Sequence, residues 1–136
     1  VEGPVLILTR VGTGRIALPL AEVGLEHRAQ EPAAALSHGE QRQLEIAMTL
    51  ATRPRILLLD EPLAGMGGEE SARMVQLLQK LKQAHAMLLV EHDMDAVFRL
   101  ADRISVLVYG RVIATGDPAA IRANAEVRGA YLGEAG

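Results

Sequence analysis

Four consecutive aliphatic residues followed by two carboxylates constrain the fold more than any other feature of the chain. Residues 56–59 are Ile, Leu, Leu and Leu, and Asp60 and Glu61 follow at once. A short apolar run of this kind predicts a strand that is buried on both faces of a parallel sheet. The carboxyl ends of such strands form the edge at which open α/β folds bind ligands. We therefore expect Asp60 and Glu61 to lie at a ligand-binding edge.

Helical and strand patterns alternate along the rest of the chain. Helices are predicted at residues 39–52, 69–83, 93–101, 118–123 and 125–132. Strands are predicted at residues 56–60, 86–90, 104–108 and 112–114, and the last two form a hairpin. This alternation predicts an α/β fold, a layered and mostly parallel sheet flanked by helices.

Composition excludes several kinds of function. The chain has 136 residues, enough for one domain with its own core. A net charge of −3, two Tyr and one Phe give no basis for a nucleic-acid surface, so no nucleic-acid partner is expected. The absence of Cys excludes disulfides and thiolate metal sites and is typical of a reducing compartment.

A second motif opens the first long helix. Its residues are Leu36, Ser37, His38, Gly39, Glu40 and Gln41. Ser37 stands three residues before Glu40, which predicts a capping box. The Ser hydroxyl and the free N–H groups of a helix start also suit an anion. Both interpretations can hold at once.

His92 follows the second predicted strand, between Glu91 and Asp93. A lone His at a strand end is most often a polar surface residue. Its position one strand after Asp60 and Glu61 favours a functional role instead. Four dispersed His without Cys make no zinc site.

The order of these motifs resembles the ATP-binding cassette (ABC) ATPases, from the signature loop at residues 36–41 to the Walker B strand at residues 56–61. The resemblance implies that Asp60 helps to hold Mg²⁺ and that Glu61 polarises the water that attacks the γ-phosphate of ATP. It implies that His92 senses that phosphate and orients Glu61. It also implies a set of residues that contact nucleotide bound by a partner subunit, namely Ser37, His38, Gly39, Glu40 and Gln41.

The chain departs from the family pattern in three places. In the signature, which is usually Leu-Ser-Gly-Gly-Gln, His38 replaces Gly and Glu40 replaces Gln. In the D-loop position at residues 64–67, Gly67 replaces the usual Asp, which weakens any role of that loop in positioning water. No G-x-x-x-x-G-K-[ST] loop occurs, and residues 12–15 have the wrong spacing and no Lys. We therefore expect a C-terminal fragment of a cassette that lacks Walker A.

Longer strings are similar to the branched-chain amino-acid importers within this family. They lie at residues 43–47, 62–67, 91–94, 109–116 and 126–133. The resemblance implies an ATP-binding and ATP-hydrolysing subunit at the cytoplasmic face of the bacterial inner membrane. Its cofactors would be ATP and Mg²⁺, and its partners a second ATP-binding subunit in a two-fold dimer and an integral membrane permease.

The same resemblance divides the chain into two parts. Residues 1–35 would be a poorly assigned segment, partly the remnant of a helical subdomain. Residues 36–136 would carry the signature helix, Walker B and the switch region. Because Walker A is absent, the isolated chain should be nearly inert, since phosphoryl transfer needs the P-loop Lys together with Mg²⁺.

Two interpretations from other classes stay open. One is a DNA-repair or chromosome-maintenance ATPase of the ABC type, which would share the signature and Walker B. The other is a non-catalytic interaction fragment that folds but binds no nucleotide. A nucleotide-binding measurement separates the enzyme from the interaction fragment.

Overall fold

The computed structural model describes residues 17–132, in which helices and strands alternate. The helices are α1 (Ala17–Glu22), α2 (His38–Leu50), α3 (Gly68–Leu81), α4 (Met94–Leu100), α5 (Pro118–Ala123) and α6 (Ala125–Val127), which continues as a π-helical turn at Arg128–Leu132. The strands are β1 (Ile56–Asp60), β2 (Ala86–Val90), β3 (Ile104–Val108) and β4 (Arg111–Gly116). The predicted elements from residue 36 onward are confirmed, with ends that differ by a few residues.

Polar side chains fix the starts of four helices. Each accepts a hydrogen bond from the amide three residues further on, as N-cap residues do. The caps are Ser37 for α2, Asp93 for α4, Asp117 for α5 and Asn124 for α6. Pro118 stands at the first position of α5, where its missing N–H costs nothing.

Strands β1 and β2 pair in parallel and carry the main core on one face. Ile56 pairs with Ala86 and Asp60 with Val90, so the two strands end together. Leu57 is fully buried in this core, which also contains residues of α2 and α3. Burial of such a side chain contributes roughly 1.5–3 kcal/mol. The core also takes in Val23 and Leu25 from the segment before α2. The proposed division at residue 35 stays a prediction.

The opposite face of β1 and β2 is exposed, so the prediction that β1 is buried on both faces is wrong. Side chains alternate along a strand, and every second one points away from α2 and α3. On that side Ile56 is 58% exposed, Leu58 71%, Leu88 62% and Val90 55%. Within residues 17–132 no element covers these four side chains, which we call the bare face.

Strands β3 and β4 form a separate antiparallel hairpin with its own small core. The hairpin has a bulge between Val106 and Leu107, and Ile104 pairs with Gly116. Ile121 and Val127 from α5 and α6 pack against it. In the described residues, β1–β2 and β3–β4 are therefore two two-stranded sheets rather than one.

A cleft of about 1050 Å³ separates β2 from β3. All five residues of β2 line it, together with residues 104–107 of β3. Glu61, His92 and Tyr131 also lie at its walls. We call this space the inter-strand cleft. None of the helices between residues 17 and 132 is both long and apolar enough to cross a membrane.

Candidate functional site

The carboxylates that follow the first aliphatic run lie at the carboxyl end of the parallel pair. Asp60 is the last residue of β1, and both Asp60 and Glu61 are exposed. The Glu61 N–H donates to the Val90 carbonyl at 2.8 Å, which extends the strand pairing by one residue. Glu61 has a φ of 45°, a left-handed conformation that is uncommon for a residue with a side chain. The chain thus turns sharply at Glu61.

His92 contacts Glu61 directly. Its Nδ1 lies 3.3 Å from Glu61 Oε1, and because a carboxylate only accepts, Nδ1 is the donor. The His92 side chain is 72% exposed and that of Glu61 50%. A contact this open to solvent contributes little to stability. Its consequence is geometric, since it aims the two side chains at each other beside the inter-strand cleft.

Glu91 joins the two segments that bear Glu61 and His92. Its Oε1 accepts from the Leu63 N–H at 2.9 Å. Its Oε2 accepts from the His92 N–H at 3.1 Å and from the Asp93 N–H at 3.4 Å. Glu91 is not among the site residues predicted from the sequence. Its place directly after a strand at this edge is visible in the sequence, but its partners are backbone amides, which the sequence does not reveal.

The loop before α2 forms the predicted capping box. Ser37 Oγ accepts from the Glu40 N–H at 3.3 Å, and Glu40 Oε2 accepts from the Ser37 N–H at 2.8 Å. The bond from the Ser37 N–H lowers the pKa of Glu40; burial opposes that shift, and the nearby Arg28 guanidinium favours it. Because the pKa is lowered, this stabilisation is present at neutral pH and is lost as the pH falls through the lowered value. Gln41 Nε2 donates to the carbonyl of Leu36 at 3.3 Å, which closes the turn.

His38 and Ser37 link this loop to the segment between β1 and α3. His38 Nε2 donates to the Ala64 carbonyl at 3.0 Å. Gly65 has a φ of 74°, and a Cβ there would come within 3.1 Å of His38 Nε2. Ser37 Oγ lies 3.5 Å from Glu70 Oε1 in α3. Gly39 is buried, and a Cβ there would approach the same Glu70 oxygen to 3.0 Å. The loop thus rests against the start of α3.

The predicted site residues therefore fall into two groups. One comprises Asp60, Glu61 and His92 at the ends of β1 and β2. The other is the loop at residues 37–41. Across residues 17–132, no hydrogen bond or ion pair joins a side chain of one group to a side chain of the other.

The oxygen atoms at the end of β1 are of the kind that bind Mg²⁺. Carboxylate oxygen is a preferred ligand of this ion, which in proteins is usually held by one or two carboxylates and completed by water and phosphate. Asp60 supplies an exposed carboxylate beside Glu61. Among the described residues there is no cluster of three or more His, Asp or Glu that could hold a metal ion without such additional ligands.

Two family models match the chain. The ABC transporter model matches residues 12–64, which include the capped loop and β1. The model of the branched-chain amino acid ATP-binding cassette transporter matches residues 111–136. The capped loop, Asp60 and Glu61 lie in the first matched range, and the second covers the last 26 residues, so both ends of the described region indicate one family.

Individual relatives agree with these models. The chain is 47% identical over 118 residues to the high-affinity branched-chain amino acid transport ATP-binding protein BraF of Pseudomonas aeruginosa, covering 85% of this chain and 46% of BraF. It is 44% identical over 123 residues to LivG of Escherichia coli, of the same description, covering 89% of this chain and 48% of LivG. The chain therefore spans about half the length of the curated relatives it matches.

Solved structures confirm the α/β class. An ATP-binding cassette of an ABC transporter in its ADP conformation superposes with a TM-score of 0.79 at 27% identity, covering 89% of this chain and 50% of that one. The structure of cbiO1 from Clostridium perfringens, part of an ABC transporter complex, gives 0.74 at 32% identity, covering 84% of this chain and 46% of that one.

Proposed function

We propose that this chain, which belongs to the ABC transporter family of ATP-binding proteins, forms one part of an ATP-hydrolysing importer subunit. That part extends from the signature loop at residues 36–41 to the switch His, His92. The observation that carries this proposal is the contact of 3.3 Å between His92 and Glu61 at the ends of adjacent parallel strands. Carboxyl ends of parallel strands are where α/β folds bind nucleotides.

The residues at this edge take complementary roles in the proposal. Asp60 would hold Mg²⁺, which when bound neutralises charge on the phosphates of ATP. Glu61 would accept the proton of the attacking water, and His92 would hold the Glu61 carboxylate in place. The distance of 3.3 Å between His92 Nδ1 and Glu61 Oε1 supports these roles.

The capped loop would act on nucleotide held by a second ATP-binding subunit. Ser37, His38 and Gln41 are exposed and Glu40 half-buried, while Gly39 is buried and lets the loop lie close to Glu70. A two-fold dimer would bring each loop to the site of the other subunit. The names of BraF and LivG favour branched-chain amino acids as the cargo class. A membrane permease as partner and the cytoplasmic face of the bacterial inner membrane as location stay predictions from the resemblance.

The bare face and the inter-strand cleft support a further part of the proposal, that the working subunit includes polypeptide beyond the described residues. The bare face is aliphatic and follows both parallel strands, as expected of a surface that packs against another layer. The cleft is lined by all five residues of β2 and by residues 104–107 of β3. Residues equivalent to the half of BraF or LivG that this chain does not span would fill both.

The first prediction concerns nucleotide affinity. The isolated chain should bind Mg·ATP weakly or not at all, because it has no P-loop to grip the phosphates. We define the hybrid subunit as BraF in which this chain replaces the matching 118 residues. The hybrid subunit should bind Mg·ATP. Calorimetric titration of both proteins checks this. Micromolar affinity of the isolated chain for Mg·ATP would contradict the proposal that the phosphates are bound by the half of the subunit that this chain does not span.

The second prediction concerns the bare face. Leu88→Glu should leave the secondary structure of the isolated chain unchanged, because Leu88 is 62% exposed there. The same change should unfold or inactivate the hybrid subunit, where the face would be buried and the charge unpaired. Circular dichroism and ATP titration measure both effects.

Val112→Glu is the matched control, since Val112 is 60% exposed but lies on β4, away from the bare face. Equal damage by both substitutions, or none by Leu88→Glu in the hybrid subunit, would show that the bare face is not covered by the missing half.

The alternative classes give different results in the same experiments. A hybrid subunit that folds without binding ATP would favour the interaction fragment. The relatives reported above are named as transport proteins, and no observation in the described residues favours a DNA-repair ATPase.

A further inference from the structure

Glu91 occupies a position that neither strand pairing nor a helix cap accounts for. It follows β2 directly and is half-buried. One carboxylate oxygen accepts from Leu63 at 2.9 Å, and the other accepts from His92 at 3.1 Å and Asp93 at 3.4 Å. Its side chain therefore spans from the segment after β2 to the segment after β1.

The Leu63 amide matters because of the residues before it. Glu61 takes the left-handed φ of 45°, and Pro62 has no N–H to donate. Leu63 thus carries the first backbone N–H after Glu61, and Glu91 accepts it. The unfavourable conformation of Glu61 persists only where its surroundings hold it. This bond holds the chain immediately beyond the turn.

The His92 amide matters for the other half of the pair. The bond to Glu91 Oε2 fixes the backbone from which the His92 ring reaches Glu61 at 3.3 Å. One carboxylate is thereby hydrogen-bonded to both backbones on which this distance depends.

We propose that Glu91 is a positioning residue that sets the distance between the His92 ring and the Glu61 carboxylate. The proposal rests on the proposed function, since it assigns Glu91 to the hydrolysis that Glu61 and His92 would carry out. In this role Glu91 acts through the two backbones.

Three substitutions distinguish the effect of the hydrogen bonds that Glu91 makes to both segments from the effect of its negative charge. Glu91→Asp keeps the charge but is one methylene shorter, so it cannot reach both segments. Glu91→Gln keeps the length, and its single oxygen can accept from one segment. Glu91→Ala keeps neither. Bridging predicts that Asp and Ala are similarly harmful and that Gln is intermediate. A role of the charge alone predicts that Asp is harmless and Gln harmful.

Steady-state ATPase assays of the hybrid subunit give the first readout. For Glu91→Asp and Glu91→Ala we expect kcat to fall by up to about 10²-fold, the effect of a small misplacement of a reacting group, with KM little changed. Glu126→Gln is the control, because Glu126 is an exposed carboxylate in α6 far along the chain. Unchanged kcat in Glu91→Asp and Glu91→Ala would overturn the proposal.

Amide hydrogen exchange in the 136-residue chain gives the second readout, which does not depend on ATP. Exchange at Leu63 and His92 should rise together in Glu91→Ala, while the amides of α2 stay protected. If the unsubstituted hybrid subunit hydrolyses no ATP, the proposed function has failed, and the exchange data still decide whether Glu91 joins the two segments. Unchanged exchange at either amide would refute the bridge.

Discussion

A Glu61→Gln variant of the hybrid subunit is expected to bind ATP as its parent does and to lose nearly all turnover. The amide keeps the shape of the carboxylate, and its oxygen can still accept from His92 Nδ1, now 3.3 Å from Glu61 Oε1. It cannot accept a proton from water. General-base catalysis typically contributes about 10²–10⁴-fold, and we expect a loss in that range.

Phosphate release and calorimetric ATP titration measure the two parts of this expectation. Glu126→Gln makes the same chemical change in α6, outside the site, and should be silent. Turnover similar to that of the parent would remove Glu61 from the catalytic role. Loss of ATP binding together with turnover would place Glu61 in nucleotide binding instead.

Ser37→Arg is expected to block ATP-driven dimer formation while leaving nucleotide binding by the monomer close to normal. Ser37 is exposed at the start of α2, where a phosphate of the partner's nucleotide would approach. Arg puts bulk at that point. The measurement is light scattering with ATP, in a Glu61→Gln hybrid subunit that does not hydrolyse it.

Loss of the helix cap could by itself weaken the loop, and a second substitution separates the two causes. Ser37→Asp keeps a good N-cap but brings a negative charge against the phosphate. It should also block the dimer if the loop acts in trans. If Ser37 only caps α2, the dimer should form, and any loss of stability comes from repulsion by Glu70, whose Oε1 lies 3.5 Å from Ser37 Oγ. Thr52→Arg, an exposed position beyond the other end of α2, is the control for added bulk and charge. Full dimerisation of Ser37→Arg would leave the loop as a helix cap alone.

Local sequence signals predicted several elements because turn residues or helix-capping residues flank them. β1 begins after Arg53 and Pro54 and ends at Asp60, and the structure gives the same bounds for it as the sequence. The contact between Glu61 and His92 follows from parallel pairing, which brings the ends of β1 and β2 together. The roles of both residues stay predictions.

Burial could not be predicted in the same way. An aliphatic run such as residues 56–59 indicates that both faces can be buried, but not whether the covering layer lies within the same residues. The bulge at Val106 and Leu107 depends on packing between two strands, and no nearby residue predicts it. Glu91 was missed for a related reason, because its partners are backbone amides, which carry no signature in the sequence.

The left-handed backbone at Glu61 makes folding and catalysis select different residues at one position. A φ of 45° suits Gly and Asn, which adopt it with little or no penalty. Selection for thermal stability alone would therefore draw this site towards Gly or Asn. Selection for hydrolysis, in the proposed function, would hold it at Glu, and the backbone strain is retained with it. A library randomised at residue 61 would thus be enriched in different residues under the two selections. A design that chose residue 61 by backbone preference alone would remove the proposed ATP hydrolysis.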